Sequence, residues 1–542
     1  MRNKTIFSLA VLAMAVITIL VSFRCSDYFE DNLYNTGTII RSAFAGPGPL
    51  LRTSMVTEYF IRYPVERAED WHRSLSMLVA SQAVRLTGAL ALISILHVVY
   101  LGIFGTMLFF LFRRAALDGP REDATGNRAG RANWIALAAI AALAFSPAGL
   151  LILSRTAMDD PLAGCLALGG LLLILSSDFP SKRAAACAGL CFGTAFWAKD
   201  LCLLWTGLGS LILLVNLFVS GSRVTLSRLT TALLPGIVSA PIAAGKLLWN
   251  HADLGTYLPT LALTENRIYI YGFYTGYNPH FPFYLTGNDK LGSAVELAGG
   301  LLPAIKAAVL VQIPAVQALV DAFVPVAPLL VAALFVTHRY TASRPFFARV
   351  SRATAVVFVV FACFFLSGTS TVDQPRYWIV PVGIACGLGL IHGIDLLSGS
   401  ARTLPVTRLA VLGLLYAIGI YQVPGAYLGL RKAPLIEPAI VDWVHQKLAH
   451  GDPRDTVALN GRQAFHYYAQ TGDRIVAIWP AALTKLSPDQ IRHWLSDYHV
   501  GWALLADGDI VTRTALEQIG FTAARQDGGF VVMRPLSPLV WP

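Results

Sequence analysis

Apolar residues fall in long, nearly uninterrupted runs, separated by short segments in which arginine, glycine and proline collect. A helix needs about 20 such residues to cross a hydrocarbon core roughly 30 Å thick. Runs of that kind lie near 5–23, 88–112, 134–153, 161–177, 184–198, 201–219, 229–248, 316–336, 353–368, 377–397 and 408–424. They predict about eleven spans. Leu291–Val336 is broken by Gly299, Gly300, Pro303, Pro314, Pro325 and Pro328. It reads as an interfacial helix near 291–312 followed by one span; a second span there would move the C-terminal segment to the other side.

Two connections are long. Residues 24–87 hold amphipathic pieces such as Leu50–Tyr63, where Arg52, Glu58 and Arg62 interrupt apolar residues. That pattern predicts helices lying in the interface plane. Residues 249–303 are rich in aromatics, including Tyr257, Tyr269, Tyr271, Phe273, Tyr274 and Phe283, as in a belt at headgroup level. From about Gly425 the pattern becomes globular. Short strands at Thr456–Asn460, Arg474–Trp479, Trp502–Asp507 and Gly529–Arg534 alternate with helical patterns near Gln463–Gln470, Pro488–Tyr498 and Arg513–Gly520. The expected organisation is a transmembrane domain over 1–424, with outer loops 24–87 and 249–303, followed by a small soluble α/β domain over 425–542.

Composition agrees with the pattern. The 542 residues are 55% hydrophobic and 14% charged, with a mean hydropathy of +0.58, against about a quarter charged in soluble domains. The chain therefore reads as a polytopic α-helical membrane protein. Its net charge of +10 is loop asymmetry rather than a nucleic-acid patch. Arg113, Arg114, Arg121, Arg128 and Arg131, then Lys182, Arg183, Arg223 and Arg228, then Arg339, Arg344, Arg349 and Arg352, and finally Arg402 and Arg408 occupy alternate connections. The short connections between them hold only Arg155, Lys199 and Arg376. The positive-inside rule then puts the N-terminus in the cytoplasm and the C-terminal domain outside, as in a multi-pass protein of the cytoplasmic (inner) membrane. Met1–Phe23 reads as a retained first span, because Phe23-Arg24 does not fit a cleavage site. Most cysteines lie in apolar runs and serve as small hydrophobes; Cys187 and Cys191 share a helical face without His or acidic neighbours, so no metal site is assigned.

Polar residues that stand out cluster at the outer ends of the spans. They are Asp27, Glu30 and Asp31 after the first, Arg155, Asp159 and Asp160 between the third and fourth, Lys199 and Asp200 between the fifth and sixth, and Arg376 with Tyr377 at the tenth. Acids and bases gathered at one face fit an interfacial active site better than a relay through mid-membrane. Each has a structural reading too. Asp160-Pro161 starts a helix well, with Asp as N-cap and Pro at the first helical position. Lys199-Asp200 reads as an exposed ion pair, and Arg376 as a snorkelling residue.

These residues resemble the GT-C superfamily of polyprenyl-phosphate-sugar-dependent transferases, above all protein O-mannosyltransferases and lipid A aminoarabinose transferases. Glu30-Asp31-Asn32-Leu33-Tyr34 is similar to the family's D-E-x-x-Y with the acids reversed. Arg155 with Asp159-Asp160-Pro161-Leu162 resembles R-x-x-x-x-D-x-P-L with the Arg one residue closer. Gly189–Asp200 resembles G-x-x-x-L-A-F-x-x-K-G with Asp200 in place of the last Gly. His280-Phe281-Pro282-Phe283-Tyr284 matches H-x-P-aromatic-Y, and Arg376-Tyr377 leads to Pro381 as in R-Y-x-x-P, one residue later.

The resemblance implies inverting transfer of a sugar from a polyprenyl-phosphate donor to a lipid, glycan or protein acceptor on the outer membrane face. It implies Glu30 or Asp31 as base and Asp159 as a positioning or catalytic acid. Substrate contacts would come from Tyr34, Arg155, Asp160, Lys199, His280, Tyr284, Arg376 and Tyr377. Some relatives use a divalent metal; the loops here carry no decisive ligand spacing. A transporter or flippase of lipid-linked envelope precursors is the alternative, although no inverted repeat is visible.

Overall fold

The structure, a computed structural model, describes residues 30–44, 55–57, 74–118, 128–144, 160–199, 202–219, 223–254, 344–364, 379–399, 438–450, 456–478 and 487–536, with short pieces within 5–19 and 149–153 and residue 483. In chain order the elements are α1 (Glu30–Phe44), β1 (Met55–Thr57), α2 (Leu75–Thr87), α3 (Ala91–Leu117), α4 (Arg128–Ala144), α5 (Asp160–Leu175), α6 (Lys182–Ala198), α7 (Leu203–Val219) and α8 (Leu226–Leu254). They continue with α9 (Pro345–Phe364), α10 (Ile379–Gly399), α11 (Pro438–Ala449), β2 (Thr456–Asn460), α12 (Gly461–Thr471) and β3 (Ile475–Ile478). The last are α13 (Pro488–Asp497), β4 (Val500–Ala506), α14 (Ile510–Gln518), β5 (Phe521–Asp527) and β6 (Phe530–Pro535). They fall in two compact units. One comprises Met1–Asp27, Ser94–Trp249 and Ala308–Arg431, and the other Tyr28–Ile93, Asn250–Ala307 and Lys432–Pro542.

The first unit is helical. Among the described residues, Ala91–Leu117 and Leu226–Ala252 are long and apolar enough to cross a membrane, with hydropathies of 2.2 and 1.5; the apolar helices Asp160–Leu175 and Leu203–Val219 are shorter. The expected spans at 316–336 and 408–424 lie outside the described residues. Exposed Ile95, Val99, Ile103 and Phe110 on α3, and Ile237 and Leu248 on α8, suit contact with lipid rather than water.

Small residues let these helices approach. A methyl group on Gly170 of α5 would lie 2.5 Å from the Phe192 ring of α6, and one on Gly209 of α7 would lie 2.4 Å from the same ring. Phe192 thus fills notches on two neighbours and stacks on Trp205, with centroids 5.8 Å apart. Gly189 lies against Pro235 and Gly193 against Ile242, both on α8. Pro235 and Pro241 interrupt the hydrogen-bond ladder of α8. Ser210 of α7 compensates by donating to the Leu233 carbonyl at 3.1 Å and accepting from the Gly236 amide at 2.8 Å. Overpacking this seam costs about 1–3 kcal/mol. Gly170→Leu is therefore expected to lower the thermal unfolding midpoint in detergent, while Gly102→Leu, which meets nothing within 4 Å, leaves it unchanged.

The second unit is built on a six-stranded sheet in the order β1-β3-β2-β4-β6-β5. β1, β3, β2 and β4 run parallel, and β6 pairs antiparallel with β4 and β5. One core cluster gathers Ala458, Val476, Trp494, Leu495, Ala503 and Phe521; another gathers Val444, Val457, Leu459, Tyr467, Tyr468 and Leu504. Gly528 and Gly529, at φ of 54° and 79°, turn β5 into β6. Ser487 and Gln490 form a reciprocal capping box at the start of α13. Within Leu50–Tyr63, expected as interfacial helix, Met55–Thr57 is instead a strand, in register with Ile475–Ala477 of β3. Pairing with an open sheet edge overrides the local amphipathic pattern there.

Candidate active site

Helices α5 and α6 form an antiparallel hairpin, so the first residue of α5 and the residue capping α6 meet at one end. The first is Asp160, 6% exposed, and the second is Lys199, extended at φ −154° and ψ 131°. The Lys199 amide donates to the Ala195 carbonyl at 2.9 Å, closing the helix. Its ammonium donates to the Asp160 carboxylate across 39 residues of sequence. A carboxylate at a helix N-terminus and an ammonium at a C-terminus each oppose the local helix dipole, and here each also neutralises the other. A buried pair of this kind costs 3–5 kcal/mol to break from one side.

The expected local roles of both residues change accordingly. A helix does begin at Asp160, but the carboxylate serves Lys199. Lys199 is mostly buried and pairs across the hairpin rather than only with its neighbour; Asp200 lies outside the described residues.

Two further ionisable groups sit nearby in sequence or field, and the polar residues at span ends did not reveal them. Lys246 of α8 is 1% exposed. Its ammonium donates to the Phe196 carbonyl at 2.7 Å and lies 4.7 Å from the Phe196 ring centroid. It thus satisfies a carbonyl in the last turn of α6, three residues before Lys199, and adds a cation at that helix's negative end. Trp197 and Trp249 stack beside it at 5.5 Å, and Trp197 Nε1 donates to the Ile242 carbonyl at 2.9 Å. A lysine inside the 229–248 run was a readable signal of function by itself.

His97 of α3 is 2% exposed. Its ring faces the backbone of Ile152 and Leu153 without a well-formed hydrogen bond and lies in the field of Asp160. Cys165 Sγ, 3.0 Å from the Tyr100 carbonyl, ties α5 to α3 just below it.

Charges at the opposite end of the same helices are structural. Arg349 pairs with Asp178, Arg352 Nε donates to Asn216 at 2.9 Å and Arg113 Nε to Asn133 at 2.7 Å. Asp118 Oδ2 accepts from the Phe347 amide at 2.9 Å, and Arg114 lies over the Phe346 ring at 4.6 Å.

In the second unit, Glu30, Asp31 and Tyr34 occupy the first turns of α1; their side chains lie outside the description. Arg155, Asp159, His280, Tyr284, Arg376 and Tyr377 also lie outside the described residues. Among the described residues no group of three His, Cys, Asp or Glu side chains could hold a metal.

The fold is shared with solved structures of an archaeal oligosaccharyltransferase and of ArnT. The chain is similar to the archaeal oligosaccharyltransferase AglB from Archaeoglobus fulgidus, solved with an inhibitory peptide and a dolichol-phosphate. The TM-score is 0.55 at 13% identity, over 92% of this chain and 69% of that one. A second structure of the Archaeoglobus fulgidus enzyme, tethered to an acceptor peptide with the NVT sequon, matches with a TM-score of 0.55, 12% identity and the same coverage. ArnT from Cupriavidus metallidurans, bound to undecaprenyl phosphate, matches over 99% of both chains with a TM-score of 0.50 and 14% identity. At such identities it is the fold that is shared. No protein-family model and no curated protein matches the chain.

Proposed function

We propose that this protein is an inverting glycosyltransferase that moves a sugar from a polyprenyl-phosphate donor to a hydroxyl-bearing acceptor at the outer face of the cytoplasmic membrane. The observation that carries the reading is the buried Asp160–Lys199 pair at one end of the α5–α6 hairpin, in a fold whose solved examples hold dolichol-phosphate and undecaprenyl phosphate. Asp160 orients the Lys199 ammonium, which is the cation assigned here to the oxygens of the donor phosphate. Lys246, fixed at the same helix end, adds positive field.

In the reaction, Glu30 or Asp31 accepts the acceptor's hydroxyl proton. The acceptor oxygen bonds to the anomeric carbon as its bond to the phosphate oxygen breaks, with inversion. The polyprenyl phosphate leaves with one more negative charge. Lys199, Arg376 and Arg155 stabilise that charge as it develops. Asp159 positions the sugar or acceptor, with Tyr34, His280, Tyr284 and Tyr377 completing the contacts. The residues 1–424 carry this chemistry, and the apolar surface between the helices takes the lipid tail.

The test is a transfer assay with purified protein in nanodiscs, using undecaprenyl-phosphate sugars and envelope lipids, glycans and peptides as acceptors, read by mass spectrometry. A glycosylated product that disappears in Asp159→Asn is the expected result. Wild-type turnover in that variant would remove Asp159 from the site. Transbilayer accumulation of donor with no covalent product would replace the enzyme by a transporter.

A further inference from the structure

The acid-bearing helix α1 packs within the same compact unit as the C-terminal residues Lys432–Pro542, and its packing there is unusually specific. A methyl group on Gly37 would lie 2.3 Å from Tyr468 Cδ1 and 2.6 Å from the Tyr468 carbonyl oxygen. Only glycine lets α1 come this close to α12. One residue on, Thr38 Oγ1 lies 3.4 Å from the Tyr468 hydroxyl. A further turn along, the loop ending α12 closes on α1: Gly472, at φ of 67°, would place a Cβ 2.9 Å from the Arg41 amide. Ile39, Ile40 and Ala43 of α1 are buried.

Helix α12 is itself anchored on its far side. Tyr467, adjacent to Tyr468, donates to Asp473 Oδ2 at 2.7 Å, and His445 of α11 meets the same carboxylate at 2.8 Å. Burial, then the Asp473 charge, pushes the Tyr467 phenol well above its ordinary value, so it stays a donor. The segment after α1 is held as well, because β1 adds to the edge of the sheet through β3.

We propose that the C-terminal α/β unit positions the catalytic carboxylate: Tyr468 and Gly37 form a seat that fixes α1, and with it Glu30 and Asp31 about two turns upstream. This rests on the reading of Glu30 or Asp31 as the base. It gives the C-terminal residues a place in the turnover step rather than in acceptor capture. A displacement of about 1 Å in a reacting group can cost up to 100-fold in rate, and a side chain at residue 37 forces a shift of that order.

The experiment uses the full chain and measures kcat and both KM values in the transfer assay, on protein that elutes as a single species. Gly37→Ala and Gly37→Leu are expected to lower kcat progressively, by about 10- to 100-fold for Leu, with the donor KM within about twofold. Tyr468→Ala, which removes the ring of the seat without adding bulk to α1, is expected to lower kcat by itself with the donor KM within about twofold. Combined with Gly37→Leu it is expected to recover little, because the residue 468 carbonyl stays 2.6 Å from the new Cβ. If Gly37→Leu does not fold, Gly37→Ala and Tyr468→Ala carry the same comparison. Unchanged kcat, or an effect confined to the acceptor KM, overturns the proposal. If Glu30→Gln and Asp31→Asn are also fully active, the base assignment itself has failed. If either of those is inactive while the Gly37 variants are normal, only the positioning role is lost.

Discussion

Lys199→Met is expected to lower transfer by about 100- to 1,000-fold, the usual cost of removing one preorganised donor to a developing negative charge. The loss should appear in kcat, since phosphate charge grows as the glycosidic bond breaks. The same substitution leaves Asp160 buried without its main counter-charge, which costs about 3–5 kcal/mol, so the variant should also melt earlier. A stability defect could mimic a catalytic one, and the double variant separates them. Lys199→Met with Asp160→Leu replaces the buried pair by apolar groups of similar size, which is often neutral or stabilising. It is expected to regain the unfolding midpoint while staying inactive. Recovery of both together would reduce the pair to a structural bridge. Asp160→Asn should keep a hydrogen bond to Lys199 and lose less activity than Lys199→Met, as suits a group acting through its neighbour.

The sequence patterns that could be read were those whose cause is local. Uninterrupted apolar runs place α3 to α10, because a helix in hydrocarbon must satisfy its own backbone and needs no partner to do so. The breaks at Asp160 and Lys199 were visible as polar residues between runs. Their pairing was not, because the hairpin that joins them spans 39 residues and each has a complete local explanation as helix start or loop charge. Lys246 lies within a span rather than at its end, so a pattern of polar residues at span ends does not include it. His97 gave a weaker signal, since one histidine in an apolar helix is often only packed core. β1 could not be read at all, since three residues carry little pattern and pair with a strand some 420 positions away. The seating of α1 on Tyr468 is likewise a contact across 430 positions, which the acidic stretch by itself does not encode.

Between Glu30 and Asp31, one substitution is expected to remove about 100- to 10,000-fold of the rate and the other far less. The adjacent acids reverse the order in the D-E-x-x-Y pattern they resemble, so position in the motif does not choose between them. Their placement in the first turn of α1 gives both the same helix end, where the dipole favours an ionised carboxylate. Local electrostatics therefore does not choose either, and reach to the acceptor hydroxyl must. The pH profile identifies the base independently of the size of the defect. A general base acts ionised, so wild-type kcat/KM falls as pH drops through its pKa. Replacing the true base with its amide, as Glu30→Gln or Asp31→Asn, abolishes that acid limb and leaves a low, flat rate. Replacing the neighbour keeps the limb, moved to higher pKa or lower pKa only as the lost charge dictates. Removing an adjacent negative charge makes the remaining acid easier to ionise, so its limb should shift toward lower pH. If the acid limb persists in both single variants, neither residue is the base, and the proton goes to a group elsewhere in the site.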